Sequence, residues 1–257
     1  MLSDGITLNE VFMKIVFLTA LGVGGATVIG GIIGFFIKNI PRKFSDLTLS
    51  FAAGIMLAAA VWGLIIPSTG DGTWNEALVT VSGIMFGALF VGCCEKFVPK
   101  LRFVVGDTRE EGVADGAIML LFAMAIHNLP EGIAAGVSLG SGDMAGAIAV
   151  SGGIALQNIP EGMVVIPPML AAGIGRGRAF LLALFTGAME VLGTFLGSRA
   201  VTFFTGILPL SLAFAGGAMI YVIADEMMPM TKEQGKAGVY VFSLGVCVMI
   251  LLNSALS

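Results

Sequence analysis

Long apolar stretches, separated by short polar connections, set the rhythm of this chain. A helix needs roughly 20 apolar residues to cross the hydrocarbon of a bilayer. Eight stretches reach that length, at about 11–37, 46–66, 75–98, 115–139, 144–170, 179–204, 208–229 and 237–256. They predict an all-α, polytopic membrane protein with eight transmembrane helices, forming one integral-membrane domain over residues 1–257. An even number of spans places both termini on one face. The first stretch, Val11 to Ile37, is too long for the core of a secretory signal peptide and lacks its basic start, so it is read as a span.

Composition agrees with a bilayer as solvent. With 57% hydrophobic and 12% charged residues, the chain has too little polar surface to coat a water-soluble globule. Charge then orients it. Lys38, Arg42, Lys43, Lys96, Lys100, Arg102, Arg109, Arg176, Arg178, Lys232 and Lys236 lie in or beside one alternating set of connections, leaving only Lys14 and Arg199 elsewhere. By the positive-inside rule those connections are cytoplasmic and both termini face out. A net charge of −4 without a basic tract excludes nucleic acid as a partner. Cys93, Cys94 and Cys247 form no metal-type pair and sit in apolar runs, where they read as packing residues.

The pattern is violated at mid-membrane. "MLLFAMAIHNLPEGIAAGVSLG" carries the chain's single histidine, His127, with Asn128, Pro130 and Glu131. Thirty residues on, "GGIALQNIPEGMVVIPPMLAAG" repeats the arrangement with Gln157, Asn158, Pro160 and Glu161, and Glu190 lies at similar depth in the sixth stretch. Each ionised acid at a helix centre costs roughly 2.5 to 3.5 kcal/mol. Three therefore impose about 8 to 10 kcal/mol, with no cation at that depth to offset it. On a helix, Glu131 shares a face with His127 and Asn128, and Glu161 with Gln157 and Asn158. Each glutamate thus reaches two neighbouring ligand positions, as a carboxylate bridging two cations would. Pro130 and Pro160 should loosen their helices here, which is tolerated where backbone lines a cavity, and Gly132 and Gly162 leave room for close helix contact. Oxygen and nitrogen donors, with a possible thioether from Met56, suit zinc, cadmium, iron(II) or manganese better than magnesium or calcium. Asp225 and Glu226, near the cytoplasmic end of the seventh stretch, are placed to receive a leaving ion, or equally to stand as an interfacial acid pair. Asp115 and Asp143 read as helix-start residues.

"HNLPEG" followed by "QNIPEG", within eight spans, resembles the ZIP (Zrt/Irt-like) family of divalent-metal transporters in its bacterial GufA-like branch. "FAAGIMLAAA" and "AFAGGAMIYVIADEMMP" extend the likeness over nearly the whole chain. The resemblance implies a binuclear site at the midplane. Met56, His127, Glu131, Gln157 and Glu161 would line one position; Asn128, Glu131, Asn158, Glu161 and Glu190 would line the other. It implies movement of metal towards the cytoplasm by alternating access, with the first, fourth, fifth and sixth spans as a mobile unit against a dimeric scaffold. It also implies residence in a bacterial cytoplasmic (inner) membrane, divalent metal as substrate rather than cofactor, and no enzymatic activity. Two departures stand out: many members carry histidine at the position of Gln157, and an acid can occupy that of Asn158. The histidine-rich cytoplasmic loop of many eukaryotic members is absent.

Two rival readings follow from the residues alone. An intramembrane metalloenzyme could use a buried His/Glu set to activate water, but HExxH is missing and no separate nucleophile is visible. A proton-coupled transporter of a small organic solute would need mid-depth cations that this chain lacks.

Overall fold

The computed structural model describes residues 8–37, 40–96, 113–203 and 205–256. Within them the chain forms eight helices and no strand: α1 (Leu8–Phe36), α2 (Arg42–Ser68), α3 (Trp74–Glu95), α4 (Val113–Leu139), α5 (Met144–Ala171), α6 (Arg176–Phe203), α7 (Leu208–Glu233) and α8 (Gly235–Leu256). Lys38, Lys100, Arg102, Arg109 and the side chain of Asp115 lie outside the described residues. Six of the helices, α1, α2, α3, α6, α7 and α8, are long and apolar enough to cross a membrane. The other two, α4 and α5, carry the repeated polar motif.

Each apolar stretch coincides with a helix, though several helices overrun the stretch that predicts them. Hydropathy marks the hydrocarbon thickness, whereas a helix can continue through the headgroup region. Thus α2 starts at Arg42 rather than near 46, and α7 continues to Glu233 rather than ending near 229. These two overhangs are tied together. Arg42 Nη2 donates to Glu233 Oε2 (2.9 Å), Gln234 Nε2 to Asp46 Oδ2 (2.7 Å), and Thr231 Oγ1 to Ser50 Oγ (3.1 Å).

Local signals explain the helix ends. Thr73 and Glu76 make a reciprocal capping box at the start of α3, and Asp143 Oδ1 accepts from Gly146 N (3.0 Å) to cap α5. Between α4 and α5 the chain turns at Gly142 (φ 83°), and between α7 and α8 at Gly235 (φ 59°), conformations that side chains resist.

The polarity of the bundle is inverted relative to a soluble protein. Phe17, Leu18, Phe36, Phe86, Leu181, Phe203 and Leu251 are exposed on the outside, while His127, Asn128, Glu131, Gln157, Asn158, Glu161 and Glu190 are all buried. The helices sort into two groups by packing. In one, α1 packs on α5 and α6, and α4 packs on α6; in the other, α2 packs on α8, and α3 on α7. The groups meet chiefly where α2 lies against α5 and α4 against α7.

Glycine makes the tight contacts possible. A Cβ on Gly132 would overlap the backbone of Glu190, and one on Gly193 would overlap the carbonyl of Leu129, so α4 and α6 touch backbone to backbone. In the same way Gly162 rests on the carbonyl of Thr27, and Gly30 on that of Ile159. The glycine that follows each motif glutamate is therefore the seat of a helix crossing.

Although Pro130 and Pro160 are expected to loosen their helices, α4 and α5 continue as helix through both. Irregular backbone lies elsewhere, as π-helical turns at Ala59–Ile65 in α2 and Ile223–Met227 in α7. Such turns are frequent at functional sites because they re-aim the side chains around them.

Gly132→Ala should lower stability in detergent by about 1 to 3 kcal/mol, because the added methyl meets backbone that cannot swing aside. Gly22→Ala, where a Cβ meets nothing within 4 Å, should leave the thermal midpoint unchanged or higher. Equal effects of the two in a thermal unfolding series would contradict the packing account.

Candidate functional site

The two motif helices lie side by side in the bundle, and their polar residues converge. Glu190, on α6, is a hub. Asn128 Nδ2 of α4 donates to its Oε1 (2.5 Å), Asn158 Nδ2 of α5 donates to its Oε2 (2.6 Å), and the Thr27 hydroxyl of α1 donates to Oε1 as well. One carboxylate thereby joins four helices.

Glu131 and Glu161 are less fully served. Gln157 Nε2 donates to Glu131 Oε1 (2.7 Å), leaving Glu131 Oε2 and Glu161 Oε1 buried without a hydrogen-bond partner. The oxygens of the three amides, Asn128 Oδ1, Gln157 Oε1 and Asn158 Oδ1, are in the same condition. Buried polar atoms are normally paired, and each unpaired one costs about 1 to 3 kcal/mol. All five belong to the repeated motif, and all are acceptors. Among the described residues no hydrogen-bond donor answers them; a cation coordinated by oxygen would.

Next to this cluster lies a cavity of ≈ 50 Å³ whose lining includes Met56, His127, Glu131, Glu161 and Glu226. One water needs roughly 10 to 15 Å³ of such space, so the cavity has room for an ion with a few waters. Met56 is delivered by the last α-helical turn of α2, just ahead of its π segment. Its thioether reaches the cavity together with the His127 imidazole, giving this side a nitrogen and a sulfur donor. The neighbouring Asn128/Asn158/Glu190 side offers oxygen alone.

His127 also looks the other way. Its Nε2 lies 3.3 Å from Glu95 Oε1, and its Nδ1 lies 3.2 Å from Glu226 Oε2. Each ring nitrogen therefore has one carboxylate oxygen within reach: an imidazolium donates to both, a neutral ring to one, which leaves its other nitrogen free to ligate a cation. One donor atom from each of Glu95, His127 and Glu226 lies within 4.8 Å of the others, close enough to hold a metal ion. The side chains of Glu95 and Glu226 are 22% and 30% exposed, against 6% for His127. The triad therefore leads from the buried centre towards solvent.

Of the residues singled out in the sequence, Met56, His127, Glu131, Glu161 and Glu226 share the cavity, and Gln157 is hydrogen-bonded to its wall. Asn128, Asn158 and Glu190 form the adjoining cluster. Asp225 does not join them: it is exposed and lines no part of the cavity, whereas Glu226 and Met227 of the same π turn do. Two participants escaped sequence reasoning. Glu95, at the end of α3, reads as an ordinary interfacial acid, and only the tertiary fold brings it to His127 and to Tyr221, whose hydroxyl donates to Glu95 Oε2 (2.9 Å). Thr27 sits in a glycine-rich apolar run and looks like filler. A lone hydroxyl there was the available signal, and a weak one.

A match to the family described as "ZIP Zinc transporter" covers residues 106–253. The chain is 33% identical to "Zinc transporter GufA" of Myxococcus xanthus over 225 residues, which span 85% of this chain and 89% of that protein. It is 32% identical to "Zinc transporter ZIPB" of Bordetella bronchiseptica over 90% of this chain and 78% of the relative. With "Zinc transporter ZupT" of Clostridium perfringens the identity is 32% over 99% of both chains.

Glu161→Gln replaces a carboxyl group, one oxygen of which has no hydrogen-bond partner, by an amide of the same size. Affinity for zinc, measured calorimetrically on detergent-solubilised protein, should fall by at least about tenfold while the fold survives, since even the outer partners of a metal site matter at that scale. Unchanged affinity would remove Glu161 from the site.

Proposed function

The chain belongs to the ZIP family of zinc transporters, and on that premise we propose that it passes divalent metal ions, zinc foremost, towards the cytoplasm through the polar cluster between α4 and α5. The family is one of integral-membrane transporters, not of enzymes. Metal ions are its substrates. The observation that carries the proposal is the set of five buried acceptor oxygens without donors, on Asn128, Glu131, Gln157, Asn158 and Glu161. An apolar bundle tolerates such a set if a cation joins it.

The proposed site is binuclear. Met56, His127, Glu131, Gln157 and Glu161 bind one ion with mixed sulfur, nitrogen and oxygen donors, and Asn128, Glu131, Asn158, Glu161 and Glu190 bind the other through oxygen alone. Softer or borderline ions such as zinc and cadmium suit the first set, while the second also accepts manganese or iron(II). The triad of Glu95, His127 and Glu226 forms the way out. His127 belongs both to the midplane cavity and to this triad, so an ion can change partners there without first leaving all of its ligands.

Eight spans with both termini outside the cytoplasm complete the reading. The support is the described basic residues Arg42, Lys43, Lys96, Arg176, Arg178, Lys232 and Lys236, which all fall at or beside helix ends on the same side of an alternating chain. Alternating access would be a movement of α1, α4, α5 and α6 against α2, α3, α7 and α8, the two groups into which packing divides the bundle. The second group also supplies the scaffold of a homodimer, with the apolar outer faces of α3 and α8 free for a partner or lipid.

Reconstituted in liposomes, the protein should accumulate zinc above empty vesicles, and Glu131→Gln should abolish the uptake. If zinc, cadmium, manganese and iron(II) all fail to accumulate, the proposal fails. Glu95→Gln should slow uptake by roughly tenfold while leaving zinc binding at the midplane in place; equal loss of binding and flux would remove the exit role.

A further inference from the structure

Thr27 belongs to neither motif, yet it touches the centre of the site. Hydroxyls buried in helices usually bond a carbonyl of their own helix, as Thr186, Thr194 and Thr231 do here with Ala183, Glu190 and Met227. The Thr27 hydroxyl crosses from α1 to Glu190 on α6 instead. Its backbone is fixed at the same point, because Gly162 packs on the Thr27 carbonyl while Gly132 packs on that of Glu190. The two motif glycines therefore seat α5 on Thr27 and α4 on Glu190, and the Thr27–Glu190 bond joins the two seats.

Lone pairs show what this bond does. A carboxylate accepts about four hydrogen bonds, two on each oxygen. Oε1 of Glu190 accepts from Thr27 and Asn128, and Oε2 accepts from Asn158. Oε1 is thereby saturated, and Oε2 keeps one lone pair free. Both asparagine amides donate to Glu190, and each also donates to a backbone carbonyl, Asn128 to that of Thr186 and Asn158 to that of Val23. Turning either amide over would set its oxygen against a carboxylate oxygen, so the nitrogens stay on Glu190 and Asn128 Oδ1 and Asn158 Oδ1 are left without a donor. A carboxylate held in this way orients metal ligands as outer partners do in metal sites generally.

We propose that Thr27 is a positioning residue for the oxygen-only metal position: by saturating Glu190 Oε1 it restricts that carboxylate to one-point ligation through Oε2 and locks both asparagine oxygens towards the ion. The inference rests on the binuclear reading above. Without the hydroxyl, Glu190 keeps only its two amide donors and Oε1 regains a free lone pair, so the carboxylate is held less firmly and the second position loosens while the His127 position keeps its own ligands.

The test compares wild type, Thr27→Val, Thr27→Ala and Thr27→Ser, each as the full chain in detergent, by calorimetric titration with zinc and by zinc uptake in proteoliposomes. In Thr27→Val, which keeps the shape and loses the hydroxyl, the second zinc equivalent should weaken about 10- to 100-fold and the first should stay within a few-fold. Thr27→Ala, free of any clash from the second valine methyl, should show the same selective loss, and Thr27→Ser should restore wild-type binding. An unchanged second equivalent in both Thr27→Val and Thr27→Ala, a parallel loss of both equivalents, or a failure of Thr27→Ser to rescue would each overturn the role of Thr27. Fewer than two equivalents in the wild type would overturn the binuclear reading and this inference with it, a result recognisable without any variant.

Discussion

Carboxylates stripped of water inside an apolar bundle govern the rest of this molecule. Glu131, Glu161 and Glu190 are 1%, 4% and 0% exposed, so whatever compensates their charge has to come from neighbouring side chains or from an ion. Supply is uneven. Glu190 receives three donors from three helices, Glu131 receives one, and Glu161 Oε1 receives none. The protein itself satisfies Glu190, and the unpaired oxygens all belong to the two motif helices, α4 and α5. An uneven arrangement of this kind can stand while empty and still attract a cation, because the hydrogen-bonded half holds the frame together.

The amides at 157 and 158 gain meaning in this light. Histidine or an acid at these positions would bring more ligand strength to the site. Gln157 and Asn158 bring N–H donors, and both donate to the acids beside them. Charge repulsion in the empty site is reduced, and the cost of burying three glutamates falls with it. The same amides each keep an oxygen without a donor, so one side chain offers both a hydrogen bond and a free acceptor.

Packing and chemistry are joined through small residues. In lipid, apolar surface gives little drive for helices to associate, and close backbone contact takes its place. The crossings at Gly132 and Gly162 set the spacing of α4 on α6 and α5 on α1 within one residue of the motif glutamates. Irregular backbone is placed on the opposite group: the π segment of α2 begins three residues after Met56, and that of α7 contains Glu226. One group thus carries most of the buried polar cluster on regular helices, while the other reaches it from helices whose turns are locally widened.

Much of this was legible in the chain. Apolar stretches of sufficient length predict helices because a bilayer demands internal satisfaction of every backbone group, and the i, i+3 and i+4 spacing of His127, Asn128 and Glu131, repeated thirty residues later, sets each trio on one helix face by geometry alone. Contacts between helices were not legible. Which way Asp225 and Glu226 divide depends on a π turn, and the proline signal at Pro130 and Pro160 pointed to irregular backbone that occurs in α2 and α7 instead. Glu95 and Thr27 lie 32 residues before His127 and 163 before Glu190, and nothing local distinguishes them from an interfacial acid and a filler hydroxyl. Periodicity along one helix is a property of the sequence, whereas the meeting of side chains from α1, α3, α6 and α7 arises only from how those helices pack, and so the tertiary structure alone decided it.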